Sequence, residues 1–302
     1  MNYLMDSFDS VSVIILSYNQ KFFLKRCIDS VINQEHKSSQ IIVVDNASSD
    51  GTVDFLRDYN LNLEIIENEA NLGFAKAMNK GIERAKGYYA LFLAGDIILA
   101  QDCLMNFLRY IKSEDNIGLL TGHIYEHYNK KLIFSGKRVT LAWKFKQNEL
   151  TLKNRMERTD LIPGCLLFSK TGLLRHSGGF DERYFFYFED LDLSFRFKRA
   201  GFRNLVIPEA KAFHLEEGLG IGKYKTDKKI QFELEKNLLI TYFNHAKLFW
   251  LILFFIRYMT FSFIKNIFDE NRRNIILKTR YWVLCNLLDL IKIRFSQNYR
   301  FT

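Results

Sequence analysis

Continuous apolar runs alternate, along the first hundred positions, with stretches in which apolar residues recur every three or four. Val11–Leu16 (VSVIIL) is an unbroken run that ends at Ser17-Tyr18-Asn19, after which Phe23, Cys27 and Val31 follow at helical spacing. The same order returns with Ile41–Val44, the polar turn Asp45-Asn46-Ala47-Ser48-Ser49-Asp50-Gly51, a predicted helix over Val53–Tyr59, and a third strand at Leu63–Ile66. Strands apolar on both faces and separated by helices predict an α/β chain built on a parallel sheet covered on both sides. Asn71-Leu72-Gly73-Phe74 opens a further helix reaching about Lys86, and Tyr89–Leu93 is a fourth buried strand that stops at Ala94-Gly95-Asp96. Polar residues therefore gather where strands end. Ligands of open α/β sheets bind beyond those carboxyl ends, so Ser17, Asp45 and Asp96 are expected to face one pocket.

The pattern loosens after a helix over about Gln101–Lys112. Ile117–Thr121 reads as a strand, Ile133–Phe145 as an antiparallel excursion, residues 146–160 as a polar, mobile stretch, and Leu166–Phe168 and Leu205–Ile207 as further strands. Between the last two lies YFEDLDLSFR, residues 187–196, with three carboxylates among apolar neighbours.

Charge divides the chain where hydropathy does not. Residues 236–302 carry eleven Lys and Arg against three acids, while the whole 302-residue chain is only +9. A nearly neutral body over 1–235 with a basic, helical tail over 236–302 points to an anionic surface, either a membrane or a nucleic acid. Leu248–Ile264 (LFWLILFFIRYMTFSFI) favours the membrane: it is short for a span and has Arg257 near its middle, which suits a helix lying in the headgroup region. A homodimer interface or packing on the body are the other uses of such a segment, and nucleic acid is not expected as a partner. Met1–Ser10 lacks a basic start and an apolar run, so no signal peptide is expected, and the protein is placed in the cytoplasm, peripheral on the inner face of the cell membrane. Cys27, Cys103, Cys165 and Cys285 are widely spaced in apolar surroundings and read as reduced core residues.

Asp45 follows a buried strand and precedes a turn rich in Asn, Ser, Asp and Gly, which suits hydrogen bonding to a base or ribose, the alternative being that Asp45 or Asn46 caps the next helix; Ser49 and Asp50 suit helix capping better than ligand contact. A Rossmann dehydrogenase is disfavoured because Ser17-Tyr18-Asn19 stands where a GxGxxG turn is needed. In YFEDLDLSFR, a helix starting near Glu189 sets Leu193 and Phe197 on one face, while Asp192 and Arg196, four apart on another, pair through solvent. Asp190 falls in the first turn, where free amides and the helix dipole favour an ionised carboxylate fit to act as a general base. Glu189 either orients Asp190, binds an acceptor hydroxyl, or caps the helix.

Taken in order, VSVIILSYN, VVDNASSDGT, NLGFAKAMNKG, GGFDERYFFYFEDLDLSFRFKRAGF and VIPEAKAFH resemble the family 2 glycosyltransferases over roughly residues 10–215, most of all rhamnosyltransferase-like bacterial members that build surface polysaccharides. The resemblance implies a GT-A fold, with a mixed, mainly parallel Rossmann-like sheet, and inverting transfer of a hexosyl or deoxyhexosyl group from a UDP- or dTDP-sugar to a glycan or lipid-linked acceptor. It implies that Ser17, Asn19 and Asp45 hold the nucleoside and that Asn71, Gly73, Phe74 and Asn79 line the donor site. Asp96 matches the last acid of a DxD-like motif, His214 a second ligand of Mg2+ or Mn2+, and Asp190 the base. Ala94 departs from the pattern, standing where the first acid or amide of that motif belongs, and so bears on metal use. A catalytically weak nucleotide-sugar-binding scaffold of an assembly complex is the alternative it raises. Gly218–Gly222 with Lys223 and Lys225 reads either as a lid over the diphosphate or as a plain connector.

Overall fold

The computed structural model describes residues 9–59, 62–139, 145–147, 156–215, 227–265 and 270–296. The glycine-rich segment at 218–222, its lysines, and residues 148–155 lie outside them. The chain divides into two compact units, one of Met1–Arg183 and Glu189–Leu219, the other of Tyr184–Phe188 and Gly220–Thr302.

In the first unit β1 (Val11–Ser17), α1 (Lys21–Ile32), β2 (Gln40–Asp45), α2 (Thr52–Arg57), β3 (Glu64–Glu67), α3 (Phe74–Arg84) and β4 (Tyr89–Ala94) alternate as the apolar pattern predicts. Then come β5 (Ile97–Leu99), α4 (Cys103–Ile111), β6 (Ile117–Glu126), β7 (Leu132–Phe134), β8 (Lys137–Val139), β9 (Phe145–Gln147), β10 (Glu157–Arg158), β11 (Leu166–Lys170), α5 (Thr171–His176), α6 (Glu189–Arg199) and β12 (Arg203–His214). Among the described residues these strands form one ten-stranded sheet, in the order β10-β12-β6-β11-β4-β1-β2-β3 with β5 on β12 and β7 on β6, and a separate β8-β9 ribbon.

Strands β4, β1, β2 and β3 run parallel. Their connections are helical, and each helix turns one apolar face inward: Leu24, Cys27, Ile28 and Val31 of α1 and Ala77, Met78 and Ile82 of α3 are buried. Burial of such side chains stabilises the fold by about 1.5–3 kcal/mol for each large aliphatic residue. Beyond β4 the sheet becomes mixed, because β11 is antiparallel to both β4 and β6 while β12 runs parallel to β6. The β6-β12 pairing is interrupted between Ile207 and Lys211. Gly122 is required opposite that interruption, since a Cβ there would collide with the Ala210 carbonyl oxygen.

The second unit holds α7 (Lys228–His245), α8 (Leu248–Lys265) and α9 (Glu270–Ser296), and α7 runs across residue 235. Asp227 caps α7 by accepting from the amides of Lys229 and Ile230. The Tyr242 ring stacks on Phe254 at 3.7 Å, and Arg294 donates to the carbonyls of Phe243 and Ala246, closing the end of α7. No described helix is long and apolar enough to cross a membrane. The four cysteines are free, as expected, but only Cys27 and Cys103 are fully buried; Cys285 is exposed, because apolar residues surround α9 on its outer face as well as its inner one.

Candidate active site

Register brings the expected strand-end residues together. Ser17 pairs with Asp45 across β1 and β2, Leu16 pairs with Ala94 across β1 and β4, and the Gly95 amide donates to the Leu16 carbonyl. Ser17 and Asp45 are buried, yet Ser17 Oγ and Asp45 Oδ1 have no hydrogen-bond partner among the described residues. Buried polar atoms left in that state are costly unless a ligand or water completes them. The second Asp45 oxygen accepts from the Ser48 amide, which fixes the carboxylate.

Asn19, in the left-handed region at φ 52°, accepts from the Ser49 amide and donates its own amide to Ser48 Oγ. It thus ties the end of β1 to the turn after β2. Asp50 accepts from the amides of Lys21 and Thr52 at the starts of α1 and α2, the capping role its position predicts. Asn46, which the sequence offered only as an alternative helix cap, is the centre of a buried network. Its Nδ2 donates to Asn71 Oδ1 and the Gly73 carbonyl, and its Oδ1 accepts from Asn68 and from the Leu72 amide. Asn71 and Gly73 are held in this loop. Phe74 packs edge-on against Phe180 at 5.5 Å, and Asn79 brackets the main chain of Phe180, donating to its carbonyl and accepting from its amide. Gly179 beside it has φ 68° and has no room for a side chain against Asn79.

Strand β5 returns antiparallel on β12, pairing Ile97 with His214, so Asp96 meets the end of β12. The Leu215 amide donates to the Asp96 carbonyl, and His214 Nε2 lies 3.6 Å from Asp96 Oδ2, with both side chains buried. A carboxylate and an imidazole at this separation fit a divalent ion whose remaining ligands come from a bound diphosphate. No group of three or more protein metal ligands occurs among the described residues, in keeping with Ala94 in place of an acid.

Antiparallel pairing of Leu166 with Leu93 sets the Pro163-Gly164-Cys165 turn against the end of β4. Asp190, at the start of α6, accepts from the Gly164 amide at 3.3 Å and from the Leu191 amide at 2.7 Å. Burial pushes the Cys165 thiol far up, and the charges of Asp96 and Asp190 push it further. Both carboxylates therefore act on one side chain. Burial also raises Asp190 above the usual aspartate range, against the opposing pull of the Gly164 and Leu191 amides and of Lys137. Glu189, 4% exposed, is raised well above the glutamate range by burial first and by the neighbouring Asp190 and Asp192 charges after it. Its Oε2 has no hydrogen-bond partner among the described residues. Gly164 and Lys137 were not singled out from sequence, and Cys165 was read only as a core cysteine.

A carboxyl that binds its proton more tightly folded than unfolded contributes stability below its ordinary pKa, about 4.3 for Glu, and loses it as pH rises through the raised value. Glu189→Gln abolishes that loss. The stability of the variant relative to wild type is expected to climb with pH above about 4.3, by up to about 1.4 kcal/mol per pH unit, the slope for one proton. Urea midpoints across pH measure it; parallel curves would contradict it.

The Asp192–Arg196 pair forms at 2.8 Å, but not through solvent as expected from helical phasing. Asp192 is 0% and Arg196 4% exposed, because the Gly178-Gly179 turn covers this face of α6 and Arg196 donates to the carbonyls of Ser177 and Gly179.

A putative teichuronic acid biosynthesis glycosyltransferase, TuaG, of Bacillus subtilis is 35% identical over 116 residues, 37% of this chain and 46% of that protein, so the chain matches about half of that relative's length. An N-acetylglucosaminyl-diphospho-decaprenol L-rhamnosyltransferase of Mycobacterium tuberculosis is 26% identical over 239 residues, 68% of this chain and 76% of its own. Among solved structures, S. aureus TarS 1-349 in complex with UDP-GlcNAc superposes with a TM-score of 0.60 at 19% identity, over 96% of this chain and 89% of that one. GalNAc-T7 with UDP, GalNAc and Mn2+ gives 0.61 at 18% identity, over 78% and 50%. At such identities the likeness is one of fold, and that fold is GT-A. The sequence pattern of glycosyl transferase family 2 matches residues 12–175, the stretch that carries the Ser17, Asp45 and Asp96 strand ends, and the chain belongs to that family.

Proposed function

We propose that the protein is an inverting glycosyltransferase that moves a hexosyl or deoxyhexosyl group from a UDP- or dTDP-sugar to a glycan or lipid-linked acceptor in cell-surface polysaccharide synthesis. The observation that carries this reading is the bonded path between two separate carboxylates: Asp190 accepts from the Gly164 amide, and the next residue, Cys165, accepts through its carbonyl from the amide of Ala94, two residues before Asp96. Inversion needs two poles: one holding the departing diphosphate, the other taking a proton from the attacking hydroxyl on the opposite face of the sugar. Asp96 with His214 supplies the first, Asp190 the second. Ser17 Oγ and Asp45 Oδ1 are free to bond the nucleoside. When bound at Asp96 and His214, Mg2+ or Mn2+ would neutralise charge on the leaving diphosphate. Incubation with a panel of UDP-, dTDP- and GDP-sugars and a lipid-linked acceptor extract tests the reading, with product anomers assigned by NMR. Retention of anomeric configuration, or no transfer from any donor, would sink it.

The same reading places the second unit on an anionic leaflet at the inner face of the cell membrane. Leu277, Tyr281, Leu284, Leu288 and Ile291 recur along α9 at steps of four and three and are exposed, Leu284 by 64% and Leu288 by 73%; Leu248, Phe249 and Ile252 of α8 are exposed as well. Lys247, Arg272 and Lys278 stand exposed among them. Apolar side chains entering the acyl boundary beside cations near anionic headgroups support the reading. Leu284→Glu with Leu288→Glu is expected to reduce flotation with anionic liposomes at least tenfold while leaving transfer to a soluble acceptor intact. Undiminished flotation would remove these residues from the contact.

A further inference from the structure

Tyr187 and Phe188 are both in the left-handed backbone region, at φ 70° and 73°, and they immediately precede Glu189 and Asp190. Two consecutive side-chain-bearing residues held there are strained and persist only where the surroundings impose them. The structure identifies what imposes them. Asn237, on α7 and 0% exposed, donates through Nδ2 to the Phe186 carbonyl at 2.9 Å and to the Tyr187 carbonyl at 3.0 Å. Its own backbone carbonyl accepts from Thr241 Oγ1, which in turn meets the Tyr184 hydroxyl at 3.1 Å. The strap Tyr184–Phe188 is thus gripped at its start and near its end by polar groups one helical turn apart on α7.

We infer that Asn237 is a positioning residue for Asp190, acting through the chain that joins them. The two carbonyls it holds fix the strained strap backbone up to Phe188, the residue joined by a peptide bond to Glu189. A strap released from that backbone would free the first turn of α6 to turn, and Asp190 with it, away from the Gly164 amide. An amide is needed because both strap partners are acceptors: only Nδ2, with two N–H groups, can serve both. A carboxylate of the same shape would set a third acceptor against them.

The inference rests on the proposed role of Asp190 as base, and the test separates the two. In the full chain, Asn237→Ala and Asn237→Asp are expected to lower kcat about a hundredfold, the scale of a small misplacement of a reacting group, with donor KM unchanged. Hydrogen exchange at the Gly164 and Leu191 amides, which Asp190 accepts from, is expected to quicken in both. Leu239→Ala, which opens a cavity on the buried side of the same helix, controls for loss of stability and is expected to leave kcat per folded molecule and both amides unchanged. If Asp190→Asn is inactive but the Asn237 variants retain kcat within twofold and wild-type exchange, Asn237 is structural only and the inference falls. If Asp190→Asn remains active, the base is elsewhere and the inference falls with it. Should Asn237→Ala fail to fold, the isosteric Asn237→Asp carries the same readouts.

Discussion

Asp190→Asn should lower kcat for sugar transfer by about 10²–10⁴, the usual contribution of a positioned general base, and leave donor affinity within a factor of about two. The substitution keeps the shape of the side chain, and its remaining carbonyl oxygen still accepts from one of the Gly164 and Leu191 amides, while the other amide loses its acceptor. What it removes is the capacity to hold a proton taken from the acceptor hydroxyl. Donor affinity is insulated because Ser17, Asp45 and Asp96 stand on β1, β2 and the turn after β4, anchored by other bonds. Calorimetry with nucleotide sugars alongside a transfer assay separates the two quantities. Glu189→Gln should be far milder, since burial and the neighbouring Asp190 and Asp192 charges favour the neutral form of Glu189, which the amide matches in shape and charge. A rate for Asp190→Asn within a few-fold of wild type would overturn the assignment of the base, and equal losses in kcat and donor affinity would show that Asp190 binds rather than reacts.

The strand-end half of the candidate site was legible in the sequence because it depends on where strands stop. Apolar runs at Val11–Leu16, Ile41–Val44 and Tyr89–Leu93 end within a residue or two of where the strands do, and parallel pairing then aligns Ser17, Asp45 and Asp96 without any long-range information. Asp190 was legible for a different reason: the first turn of a helix is defined locally. Less local features escaped. Nothing in NLGFAKAMNKG says that Asn79 brackets Phe180 a hundred residues later, or that Asn46 rather than Asp45 organises the loop through Asn71 and Gly73. The left-handed pair Tyr187-Phe188 was hidden because such backbone is ordinarily reserved for Gly and Asn. Helix α5 was missed since Thr171–His176 is too short to show a period. For Asp192 and Arg196, the four-residue spacing correctly implied a pair, but it could not tell which face another segment would cover.

That covered pair makes Arg196→Ala the most destabilising single change expected in the first unit, at about 3–5 kcal/mol, the cost of removing one partner from a buried ion pair. The loss combines a buried carboxylate deprived of its guanidinium with two carbonyls, of Ser177 and Gly179, deprived of their donor. Arg196→Lys should recover only part of it. A single ammonium can stay near Asp192 but cannot span three acceptors in the fixed geometry of a guanidinium fork. Replacing both charges, as Asp192→Leu with Arg196→Met, should regain much of the stability, because apolar side chains avoid the desolvation cost that the ion pair carries. Urea denaturation of the single and double variants gives the coupling directly. The double variant also distinguishes two uses of the pair. The Gly178-Gly179 turn would keep its packing but lose the guanidinium that ties it to α6, the helix that presents Asp190. Restored stability with transfer still depressed would mean that the pair holds the turn and the base-bearing helix in register; restored stability with full transfer would limit it to folding. The first outcome is expected, since Arg196 bonds the Ser177 and Gly179 carbonyls and the helix that carries Asp190 from a single side chain.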